Sequence, residues 1–268
     1  QALSAINFIG SLRTFILYKE QGYLLMFILF FALFGTSHWK ILALIWVLLP
    51  AANLILFTKV PIYSLHEEGE SGMSISELFR VKVFWLLMAM MLCAGASEQA
   101  VSQWASTFAE KGLHIQKTVG DLVGPMMFSV LMGLSRLIYG KYGEKLNLDR
   151  FMKGSCVLCV ASYLCISLVP VPIVGLIGCA ICGFSVGIMW PGTFSKASAA
   201  IKRGGTVLFA MLALAGDLGC SGGPTLVGFV SSAFSGNLRL GILTAIVFPV
   251  LLFAGLCTFS RLVVKNVD

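Results

Sequence analysis

Two carboxylates stand alone inside long apolar runs. Glu98 lies in "CAGASEQAVSQWASTFAE" at 93–110, and Asp217 in "LALAGDLGCSGGP" at 212–224. A charge at the centre of a bilayer costs several kcal/mol unless it faces a cavity or a partner. Such a carboxylate can take up and release a proton, or hold a polar solute. Gly95, Gln99, Ser102 and Ser106 share roughly one face at helical spacing beside Glu98. Amides of Gln99 and Gln103 can bond hydroxyls, and the ring of Trp104 can stack on the C–H face of a sugar. The candidate solute-binding residues are therefore Glu98, Gln99, Ser102, Gln103, Trp104 and Asp217, with Glu98 also the candidate proton carrier. The competing reading of Glu98 is a protonated structural acid bonded to a neighbouring helix. For Asp217 it is a cap on a helix broken by Gly216, Gly219, Gly222, Gly223 and Pro224. Asp121, in "GDLVGP", reads as a helix-start residue. Trp190, just before Pro191 and Gly192, reads as part of an interfacial aromatic belt.

Two other spacings look like chemistry and are not. Cys156-x-x-Cys159 and Cys179-x-x-Cys182 have the spacing of a four-cysteine zinc site. Both pairs fall inside apolar runs, where thiols act as small packing residues, so no metal is expected. None of the eight cysteines is paired with another in an outer loop, which gives no basis for disulfides. Gly183-Phe184-Ser185-Val186-Gly187 matches the nucleophile elbow of hydrolases. That motif needs a strand-to-helix turn and a histidine partner. The segment is helical in pattern, and His38, His66 and His114 lie in loops or at span ends. Gly183 and Gly187 read instead as a small-residue packing face.

The elements that must position these residues follow from composition. Of 268 residues 58% are hydrophobic and only 12% charged, and the mean hydropathy is +0.92. A soluble core of this size cannot hide so much apolar surface, so lipid must face much of it. Runs long enough to span recur near 22–37, 40–58, 82–107, 119–140, 152–170, 171–192, 205–232 and 238–260. They predict an all-α polytopic membrane protein of about eight transmembrane helices. Strand-like alternation is absent from runs such as "YLLMFILFFALFG". The polar stretch at 60–82, with Glu67, Glu68, Glu70 and Glu77, reads as a linker between two bundles.

The net charge of +7 does not indicate nucleic acid, because the basic residues sit between apolar stretches. Fifteen Lys and Arg fall in loops on one side and four (Lys40, Lys111, Lys117 and Arg239) on the other. That asymmetry places the fifteen in the cytoplasm. The chain begins at Gln1 with no Met before Met26, and it shows no signal-peptide pattern. It is expected to be a fragment without its true N-terminus.

"MGLSRLIYGKYGEKL" at 132–146 sets Gly133, Arg136, Gly140 and Lys141 between two spans. It resembles the cytoplasmic loop motif in the second half of major facilitator superfamily transporters, especially the "GR…GG" form of the fucose permease branch. It lacks the acidic residue that commonly precedes the Arg. Gly95, Glu98 and Trp104 resemble that branch's Gly-x-Glu segment and following Trp, with two residues rather than one between Gly95 and Glu98. "GFSVGIMWPGTFS" and "LALAGDLGCSGGPTLVG" are similar to its later helices. The resemblance covers roughly 40–262, and residues 1–38 fit it poorly. It implies a major facilitator fold. Residues 1–59 would be the last helices of an N-terminal bundle, 60–81 a cytoplasmic central linker, and 82–268 a six-helix C-terminal bundle. It also implies a central cavity and alternating access.

The expectation is a multi-pass protein of the cell (inner) membrane, a secondary carrier of a small polar solute. A sugar is favoured by the resemblance, and proton coupling by Glu98. No cofactor, metal or nucleic acid is implied. The partners expected are the solute, a proton and the bilayer. The main alternative is an intramembrane aspartyl protease. It needs a membrane Tyr-Asp and a Gly-x-Gly-Asp, where this chain has no membrane Tyr-Asp and reads Leu214-Ala215-Gly216-Asp217. A channel or sensor derived from a carrier is the other alternative.

Overall fold

The computed structural model describes residues 33–34, 37, 39–59, 72–112, 117–143 and 145–264, and every element among them is helical. The expected span at 22–37 and linker residues 60–71 lie largely outside the described residues. The chain falls into two compact units, Gln1–Glu67 and Glu68–Asp268. In the first, α1 (Trp39–Lys59) is a single apolar helix with Lys59 in its last turn.

The second unit opens with a short helix, α2 (Ile75–Phe79), closed by a capping box. Glu77 accepts the backbone N–H of Ser74 at 2.8 Å, and Ser74 Oγ accepts that of Glu77. The first of these bonds holds the exposed Glu77 carboxyl below its usual range. Then come α3 (Lys82–Ser102), α4 (Lys117–Tyr142), α5 (Leu148–Leu168), α6 (Pro172–Val186), α7 (Met189–Ala200), α8 (Gly205–Ala233), α9 (Leu238–Thr244) and α10 (Val247–Val264). Past α3 the chain stays helical through Ala105–Thr107 and a wider-wound turn at Phe108–Gly112. Among the described residues, five stretches are long and apolar enough to cross a membrane: Lys82–Glu110, Leu148–Leu168, Pro172–Ala200, Gly205–Ala233 and Leu238–Leu262. Helix α4 is more polar, yet its 26 residues rise about 39 Å and also suffice.

Three boundaries differ from the sequence reading. The span expected at 171–192 runs on to Ala200 as two helices that meet at Gly187 and Ile188. Helix α8 is unbroken through Pro224, so Asp217 is not the cap of a broken helix. Gly133, Arg136, Gly140 and Lys141, expected in a loop, all lie inside α4. Arg136 sits six residues, about 9 Å of helix, before the end of α4 at Tyr142.

Helix α3 is the centre of the unit and packs on α8 most extensively, then on α10, while α6 packs on both α4 and α5. The α3–α8 approach depends on missing side chains. A Cβ on Gly219 would lie 2.0 Å from the Leu92 carbonyl oxygen, and one on Gly223 2.5 Å from that of Ala96. Lipid gives no hydrophobic drive for helix association, so backbone proximity of this kind carries the packing. Gly183 and Gly187 play the same part against Phe128 and Met132 of α4. Tyr163 of α5 is fully buried and donates its hydroxyl to the Ser97 carbonyl at 2.9 Å, tying α5 to α3. Cys156, Cys159, Cys179 and Cys182 are buried free thiols in this core. No cluster of three or more metal-capable side chains occurs among the described residues.

One charged knot joins the ends of three helices. Asp149 of α5 accepts Lys196 Nζ of α7 at 2.7 Å and Ser260 Oγ of α10 at 3.0 Å, and it pairs with Lys153. Lys196, one of the fifteen cations expected in cytoplasmic loops, is buried inside α7 with its ammonium over the Phe259 ring. Setting Arg136 and Lys196 aside leaves thirteen cations against four, and on that asymmetry we expect the thirteen on the cytoplasmic side. In a cysteine-free background, Lys145→Cys should react with an impermeant thiol reagent only from the cytoplasmic side, and Ser232→Cys only from outside. Labelling of position 145 in intact cells would reverse the topology.

Candidate functional site

Pro191 sits in the first turn of α7 and has no N–H to give the carbonyl four residues back. That carbonyl belongs to Gly187, at the break between α6 and α7. Arg136 of α4 supplies the missing donor, with Nε 3.2 Å from Gly187 O. Proline within a membrane span is tolerated where another group satisfies the freed backbone in this way. The bond fixes one edge of a guanidinium whose side chain stays nearly half exposed.

The other edge points towards Glu98. Arg136 Nη2 is 3.8 Å from Glu98 Oε2, an ion pair too long for a hydrogen bond. Glu98 sits near the middle of the span Lys82–Glu110, and its side chain is only 14% exposed. Oε2 is buried and accepts no hydrogen bond. The Gln99 amide interacts with the same carboxylate, and Cys220 of α8 lies close enough to feel it.

Beside this pair is a cavity of about 420 Å³ lined by Glu98, Arg136, Trp190, Pro191 and Phe194. The volume falls in the range of small-molecule sites, about 300–1,000 Å³. Trp190 is not an interfacial belt residue. It lies ten residues, about 15 Å of helix, before the end of α7 at Ala200. Its ring fits against Gly216 of α8, where a Cβ would come within 2.4 Å of it. Its indole Nε1 is buried without a partner, and its ring is followed by that of Phe194 at 6.2 Å. The site thus combines a guanidinium open to the cavity and an aromatic wall with a buried acceptor and a buried donor that lack partners behind them.

The other predicted residues are placed differently. Gln99 and Ser102 are half-buried on α3, and Gln103 is exposed beyond its end. Trp104 donates its indole N–H to the Pro224 carbonyl at 3.0 Å and lies against Gly228, away from the cavity lining. Asp217 is exposed on α8, in line with exposed Ser221 and Thr225 at four-residue spacing. The side chain of Asp121 lies outside the described residues. Arg136 and Trp190 are the site residues that the sequence reading assigned elsewhere. Pro191 in an apolar run signals that the Gly187 carbonyl needs a donor, but not which residue supplies it.

Comparison with known proteins bears on the whole unit. No curated protein matches the chain. The family model described as Major Facilitator Superfamily matches residues 20–224, most of the chain and every helix that contributes to the cavity. With its all-helical architecture and apolar spans, the chain belongs to the major facilitator superfamily.

Proposed function

We infer that the Glu98–Arg136 cavity is part of the translocation site of a proton-coupled carrier for a small polyhydroxylated solute, a sugar in the first instance. Membership of the superfamily supports a secondary transporter in general. The observation that carries the finer reading is Glu98 itself, a mid-span carboxylate with one oxygen unbonded and a cavity at its side. A carboxylate there is stable as the anion only while Arg136 stays near it, and as the acid otherwise. Proton binding and the position of Arg136 are therefore linked. Trp190 offers a ring face to the solute, and Gln99 and Ser102 extend the polar rim along α3.

Asp217, Ser221 and Thr225 form an exposed polar stripe, and lipid is a poor neighbour for a mid-helix carboxylate. In this reading the stripe borders the water-filled path. Rocking of helix bundles about the site would expose it alternately to the two sides.

The test is uptake of labelled hexoses and related polyols into proteoliposomes holding the purified full-length protein. Saturable uptake that rises with an inward proton gradient is expected. Non-saturable, gradient-independent flux would point to a channel instead.

A further inference from the structure

We propose that the solute held by this site is a monoanion, a sugar acid whose carboxylate binds Arg136 while Glu98 takes the proton. The proposal deepens the sugar-carrier reading and rests on it.

Arg136 has donors to spare. Its Nε is engaged by the Gly187 carbonyl. Its Nη2 lies 3.8 Å from Glu98, beyond hydrogen-bond reach. Nearly half of its side chain is exposed, and it lines the cavity. Guanidinium is permanently charged and matches a carboxylate through two parallel N–H donors. An anion entering the cavity therefore meets a cation already fixed in position by a backbone carbonyl.

Charge balance points the same way. The empty site holds Glu98 as the anion beside Arg136 and is neutral as a pair. When Glu98 takes a proton, the Arg136 guanidinium beside the cavity loses the negative charge that balanced it. A neutral sugar cannot offset that charge, but a carboxylate can. Proton plus monoanion returns the loaded site to the charge of the empty one, so both states can cross with equal ease. The titratable groups turned towards Glu98 are Arg136 from α4 and Cys220 from α8, with Asp217 also acting on that thiol. The aromatic wall of Trp190 and Phe194 then takes the C–H face of the ring, away from the carboxylate.

Two matched pairs of solutes test this: galacturonate against galactose, and gluconate against glucitol. Each pair differs by one carboxylate in place of one hydroxymethyl group. In proteoliposomes of the full-length wild-type protein, the acid should half-saturate uptake at a concentration roughly tenfold or more below its neutral partner. Acid uptake should respond to a proton gradient and ignore a potassium diffusion potential set with valinomycin. Arg136→Lys should keep part of the preference for the acid, and Arg136→Gln should lose it. The wild-type comparison stands even where a variant folds poorly. Equal or better uptake of the neutral partner would overturn the charge assignment and leave the sugar-carrier reading intact. Acid uptake driven by voltage would overturn the one-proton balance. Uptake of neither member of either pair would count against this proposal and the sugar reading together.

Discussion

Glu98→Gln should separate exchange from accumulation in the full-length protein. The amide has the shape of the protonated acid and keeps its hydrogen-bonding groups, but it cannot release a proton. Solute exchange across a membrane without a gradient should survive, because the neutral form is the one compatible with a loaded site. Uphill accumulation should fall to simple equilibration. For one proton per solute, a gradient of one pH unit drives wild-type accumulation by up to about tenfold. The whole of that factor should disappear in the variant. Accumulation equal to wild type would reduce Glu98 to a packing residue.

Gly219→Val should cost the protein its fold more than any change in the cavity. The Cβ alone would lie 2.0 Å from the Leu92 carbonyl oxygen of α3, with the two branches beyond it. Backbone atoms cannot rotate aside as a side chain can, so α3 and α8 must move apart. That separation loosens the most extensive helix contact in the unit. Overpacking of this kind costs about 1–3 kcal/mol or more, and in a membrane no hydrophobic force draws the helices back together. A lowered thermal midpoint and aggregation in detergent are expected. Gly222→Val is the control, since a Cβ there meets nothing within 4 Å and should leave stability close to wild type. Equal stability of the two variants would show that the α3–α8 seam does not depend on Gly219.

Glu98 was legible in the sequence for a simple physical reason. A lone carboxylate in an apolar run has few tolerable surroundings, and nearly all of them are cavities or partners. The helical class was legible on the same footing, because nothing else in the sequence could satisfy its backbone in lipid. Arg136 was not. Gly133 and Gly140 around it look like turn residues, and each glycine inside a soluble helix costs about 1 kcal/mol. In a membrane helix glycine is tolerated, and α4 runs on to Tyr142. Trp190 was misread because Pro191 looks like the end of a span. The helix instead restarts at Met189 and continues to Ala200, with the freed Gly187 carbonyl satisfied by an arginine 51 positions away in sequence. That long-range bond could not be read from local spacing. Trp104 shows the reverse case, an attractive local pattern whose indole N–H is already engaged by the Pro224 carbonyl.

If Glu98 carries the proton that moves with the solute, the two movements must be linked. Proton movement measured together with solute movement tests it most directly. Solute is added to proteoliposomes in a lightly buffered medium, with no imposed gradient, and the external pH is recorded. Alkalinisation in step with solute entry is predicted for the wild-type protein, together with none for Glu98→Gln under conditions where that variant still exchanges solute. Solute-linked alkalinisation that persists undiminished in Glu98→Gln would contradict the account.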